Sequence, residues 1–65
     1  MPADPDRPLT LAERMHIFRA LVEAQDRGMP VWGSWRMIAA QFGLTPARVR
    51  EIERQGIAGK WPPLS

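Results

Sequence analysis

Apolar residues recur at helical spacing in three blocks of this chain. In the first, Leu11, Met15, Phe18 and Val22 gather on one face at about 100° per residue, and Ile17 and Leu21 widen it. Glu13, His16, Arg19, Glu23 and Arg27 lie opposite. Thr10 and Glu13 have the spacing of a capping box, and Gly28 and Pro30 are stop signals, so the pattern predicts a helix over 11–27. The second block, Trp35, Ile38, Ala39 and Phe42, predicts a helix over 35–42 capped by Ser34, with GMPVWG at 28–33 as a loop. The third, Leu44, Val49 and Ile52, predicts a helix over 46–55, with Gly56 continuing its inward line.

The junction between the second and third helices carries consistent turn chemistry. Ala39 is small where two helices would cross, and Gly43 can adopt the left-handed conformation that ends a helix. Thr45 can cap the next helix, whose first position is Pro46, pre-set in φ and without an N–H to leave unpaired. The fold predicted is all-α, a small three-helix helix-turn-helix domain over 9–65. Its expected core is Phe18, Val22, Trp35, Ile38, Ala39, Phe42, Leu44, Val49 and Ile52, joined by Met15. Met37 projects outward beside Arg36, Ala40 and Gln41. Trp32 is expected to close one end of the core. With Trp35 it can also be read as a stacking platform for single strands, but Trp35 is in phase with Ile38 and Phe42 and so reads as core.

The two ends read differently. Residues 1–8 hold three prolines, two aspartates and one arginine, which predicts a mobile arm. A minor-groove role for it would need more basic residues than Arg7. Beyond Gly56, the two prolines of IAGKWPPLS argue against a further helix. Trp61 and Leu64 then anchor an extended strap over 57–65, placed against the Ile17, Ala20 and Ala24 edge of the first helix. The alternative, a proline-rich ligand for another domain, has one PP pair and no PxxP.

Composition narrows the chemistry. With 65 residues the chain supports one domain with a small core. No cysteine and one histidine leave no zinc finger, disulfide framework or histidine-built metal site, and His16 reads as solvated. No carboxylate pair, activated nucleophile or phosphate-cradling glycine loop is evident, so neither an enzyme, a cofactor nor a small-molecule substrate is expected. The opening MPADPDRP is unlike a signal peptide, and no apolar run approaches the roughly 20 residues that span a bilayer, which predicts a soluble cytoplasmic protein without membrane contact.

Net charge is +2, unevenly placed. Residues 1–30 carry four arginines against five acids, or −1, whereas 31–65 carry four arginines and one lysine against two glutamates, or +3. Three of those arginines lie on the third helix. On its wheel Ala47, Arg50, Glu51 and Arg54 face away from Val49 and Ile52, flanked by Pro46 and Arg48. Such a helix suits the major groove of double-stranded DNA. Ala47 can meet a thymine methyl, Arg50 can bridge guanine O6 and N7, and Glu51 can accept from a cytosine amino group or hold Arg48 or Arg54; Pro46 completes the base-reading set. Arg36, Arg48, Arg54 and Thr45 are the expected phosphate contacts, with free N–H groups at the helix start that Ser34 would cap.

From Trp35 to about Trp61 the chain resembles region four of bacterial sigma factors. The run LTPARVREIERQGI is similar to that family's recognition helix through Thr45, Arg48, Val49, Arg50, Glu51, Ile52 and Glu53. The resemblance implies promoter DNA reading in transcription regulation. Where the family places an Arg and a Glu that read bases this chain has Pro46 and Ala47, and Glu51 replaces a usual Gln, so the family's promoter sequence does not carry over. No segment for binding the polymerase core or melting a promoter is evident, which predicts a stand-alone module. Two to four phosphate contacts give a salt slope of only about −2 to −4, so a homodimer, a second module or a protein partner is implied. The other reading is an interaction module that keeps the fold but binds RNA polymerase, a sigma factor or its own copy without reading DNA.

Overall fold

The computed structural model describes residues 4–64, three α-helices in the order expected: α1 (Leu11–Asp26), α2 (Val31–Phe42) and α3 (Pro46–Gly59). Each helix packs on the other two. Phe18, Leu21, Ile38 and Val49 are the largest apolar side chains wholly buried between them, with Ile17, Ala39, Leu44 and Ile52 completing the core. Val22, Trp35, Phe42, Leu9, Ala20 and Trp61 pack around its edge, half-buried.

The ends of α1 follow from its sequence. The Thr10 hydroxyl accepts from Glu13 N–H, and the Glu13 carboxylate accepts from Thr10 N–H, a complete capping box. Gly28 leaves the helix at φ 94°. The buried face is Ile17, Phe18, Leu21 and Ala24, which corrects the expected stripe. Leu11 is exposed and Met15 and Val22 are half-buried. Apolar residues are spread over more than half of this helix, so its own pattern does not fix the face; contact with both α2 and α3 does.

The second helix begins a turn earlier than expected, and 31–33 are helical, not loop. Pro30 stands at the N-cap with no side-chain hydrogen bond. Ser34 is not a cap but a wholly buried residue inside the helix, donating to the Val31 carbonyl at 2.6 Å and accepting from Gln25 Nε2 at 3.0 Å. The hydroxyl expected to serve the helix start thus joins α2 to α1. At the other end Gly43 adopts φ 68°, and the N–H groups of Gly43 and Leu44 both reach the Ala39 carbonyl.

The third helix runs four residues past its expected end. Gly56 lies within it, where a Cβ would sit 2.3 Å from Phe18 Cδ1. The bare backbone there admits the Phe18 ring. The helix closes at Lys60 with φ 52°, so the strap is confined to 60–64. Trp61 anchors it edge-on to Phe18 at 5.9 Å, whereas Leu64 is 48% exposed and lies outside the core cluster.

The N-terminal arm also differs from expectation. Residues 1–3 lie outside the described residues, but 4–8 are tied to the helices. Arg7 donates from Nη2 to the Phe42 carbonyl at 3.0 Å and from Nη1 to the Gly43 carbonyl at 3.4 Å, placing a cation on the C-terminal end of α2. Arg48 donates to the Pro5 carbonyl at 2.9 Å. No helix among the described residues is long and apolar enough to cross a membrane.

Candidate nucleic-acid interface

The rotational setting of α3 is fixed from inside. Val49, Ile52 and Gly56 are buried on one side, so Ala47, Arg50, Glu51 and Arg54 all stand exposed on the other, as the wheel predicts. Its axial start is fixed by Thr45, in extended backbone, whose hydroxyl accepts from Arg48 N–H at 3.2 Å. A polar network stiffens the same unit. Gln25 Nε2 donates to Glu53 Oε2 at 2.9 Å as well as to Ser34, and the Trp35 indole N–H donates to Glu53 Oε1 at 3.2 Å. Glu53 therefore links all three helices and is unavailable to a ligand. Arg14 adds a bond from α1 to Gln55 at 2.9 Å.

The expected site residues fall into distinct situations. Arg50 is exposed, its guanidinium carbon 5.6 Å from the centre of the Trp35 ring, a cation–π arrangement that holds it at the α2 side of the helix. Arg54 pairs with Glu51 at 3.5 Å, with both side chains more than half exposed, so the pair is weak and opens readily. That geometry selects Arg54 as the partner of Glu51. Arg48, expected on a phosphate, is half-buried and engaged by Pro5. Pro46 is half-buried, and its apolar ring lines a groove. Arg36 is exposed on α2. With Ser34 buried, the free N–H groups at the start of α2 are those of its first turn, 31–33, because the Ser34 N–H already reaches Pro30 at 2.8 Å.

Two open hollows flank the exposed half of α3. The one on the α2 side, about 370 Å³, is lined by Trp32, Trp35, Thr45, Pro46, Ala47 and Arg50. The one on the arm side, about 560 Å³, brings Asp6, Arg14 and Gln55 against Ala47, Arg48 and Glu51. Trp32 does not close the core; it is 58% exposed and meets Trp35 edge-on at 5.9 Å. Sequence reasoning missed its place in the groove, along with Gln25 between Ser34 and Glu53 and Arg7 at the turn. The one available signal was the Trp32–Trp35 spacing, three residues apart and therefore neighbours once α2 starts at Val31.

His16 is exposed with Phe42 edge-on to its ring at 5.8 Å, and no three of His, Cys, Asp and Glu converge among the described residues. The hydrogen bonds from Thr10, backbone first and hydroxyl second, hold the Glu13 carboxyl below the usual carboxylate range, far from α3 in function and fully at the surface. No protein-family model, curated protein or solved structure matches this chain.

Proposed function

We propose that this protein binds double-stranded DNA, with the exposed side of α3 in the major groove and transcription regulation as its setting. The observation that carries the proposal is the coincidence of Ala47, Arg50, Glu51 and Arg54 on the exposed face of a helix whose phase, start and tilt are fixed by buried contacts and by the Glu53 network. A reading helix must be small at its leading end and carry long donors behind, and Ala47 followed by Arg50 meets that need. Arg50 and Glu51 address base edges; Arg54, Arg36 and the Thr45 hydroxyl lie where phosphates can be met, and Arg48 joins them if the Pro5 contact opens. The resemblance to region four of sigma factors enters only at the level of the helix-turn-helix, not of a promoter sequence.

Anisotropy of a labelled random-sequence duplex, at low and moderate salt, tests this. The expected result is salt-sensitive binding with a slope of about −2 to −4, and a loss of roughly 1–3 kcal/mol in Arg50→Ala. Folded protein that ignores the duplex at low salt contradicts it.

Exposed Val31, Met37, Ile57 and Leu64 favour a second reading, a module that binds RNA polymerase, a sigma factor or its own copy. A dimer or polymerase-bound species with no DNA affinity would select that reading.

A further inference from the structure

The groove between α2 and α3 joins an apolar lining to a guanidinium. Trp32, Trp35, Pro46 and Ala47 are its apolar lining, Thr45 lies among them, and Arg50 stands in its wall. Trp32 is 58% exposed, while the Arg50 guanidinium carbon lies over the Trp35 ring, 5.6 Å from its centre. Nothing in the core requires Trp32 to be aromatic, because it lies outside the core cluster. The arrangement is an apolar pocket beside a pre-set planar donor, at the end of α3 that approaches base edges.

In the major groove only one base substituent is apolar, the methyl group on C5 of a pyrimidine, and only guanine offers two acceptors, O6 and N7, to one guanidinium. A methyl and that acceptor pair lie side by side when a 5-methylpyrimidine is followed by guanine on the same strand. We infer that the groove of Trp32, Trp35, Pro46 and Ala47 takes the 5-methyl group of a thymine or 5-methylcytosine while Arg50 bonds the guanine that follows it. The inference rests on α3 being the DNA-reading helix and names the step it reads. Ala47 sets the depth of approach, and Trp32 covers the methyl from solvent. Unmethylated cytosine or uracil at that position leaves the apolar lining facing water.

Removing one methyl from such a contact forfeits about 0.8 kcal/mol, or about fourfold in affinity. The test selects duplexes from a random pool with the intact protein, then replaces the thymine of the enriched thymine–guanine step by uracil, and separately by 5-methylcytosine with its partner changed to guanine. The expected result is enrichment of that step, about fourfold weaker binding of the uracil duplex, near-parental binding of the 5-methylcytosine duplex, and loss of the thymine–uracil difference in Trp32→Ala. The base replacement alters only DNA, so it cannot unfold the protein, and circular dichroism checks the Trp32→Ala variant. Equal binding of thymine and uracil duplexes overturns the inference and leaves α3 as the reading helix. A difference that persists undiminished in folded Trp32→Ala overturns the role of the groove. No binding of any duplex at low salt overturns both readings together.

Discussion

Gly56 shows how much one missing side chain can decide. Glycine inside a helix is about 1 kcal/mol worse than alanine by propensity, so on local grounds Gly56→Ala should stabilise α3. The Phe18 ring reverses that sign, since it stands within 2.3–2.6 Å of where the Cβ would be and is itself only 1% exposed. Overpacking of this kind costs typically 1–3 kcal/mol. Set against the propensity gain of about 1 kcal/mol, this leaves a net loss of up to about 2 kcal/mol, so Gly56→Ala is expected to lower the melting temperature by up to about 16 °C at the roughly 4–8 °C per kcal/mol of a domain this size. A melting temperature at or above the parent's would contradict the packing of Phe18 against bare backbone. The wheel placed Gly56 inward, but only its partner explains why nothing larger stands there.

Among elements, the boundaries legible in the sequence are those set by local chemistry. The Thr10–Glu13 box, Gly43 and the Thr45–Pro46 start all satisfy groups within a few residues of themselves, and each stands where the pattern put it. The start of α2 was not legible, because Ser34 is drawn inside by Gln25, nine residues away in a different helix, and a serine before an apolar run looks the same in sequence whether it caps or is buried. The buried face of α1 was hidden for a related reason: two neighbours compete for it. The capping box gives α1 a pH signature. Glu13 has its carboxyl held below the ordinary value when folded, so its contribution is fully present above the unfolded-state value near 4.5 and is lost as pH falls through the lower folded value. Melting curves between pH 7 and 3 should show a part of the acid destabilisation that disappears in Glu13→Gln, which has no carboxylate to protonate. Parallel pH profiles for the two proteins would deny the box that role.

For the whole molecule, the core and the phase of α3 were readable because Val49 and Ile52 determine which residues face out. The hollow on its arm side was not, since it is assembled from contacts between residues that helical periodicity does not relate. Arg7 reaches Phe42 across 35 positions, and Arg48 reaches Pro5 across 43. The arm therefore lies at the same end of the molecule as the start of α3, with Asp6 in the hollow beside Arg48. A duplex docking on α3 meets Arg50 and the α2 groove on one side and this acidic arm on the other.

Amide chemical-shift mapping during titration with a short random-sequence duplex addresses the central claim directly, because it locates the contact as well as detecting it. Binding through α3 predicts that the largest changes fall on 45–54, on the first turn of α2 and on the Trp32 and Trp35 indole N–H signals, with the Arg19 and Glu23 side of α1 little affected. Changes concentrated on α1 or on the strap, or a spectrum indifferent to DNA at low salt, would contradict the account.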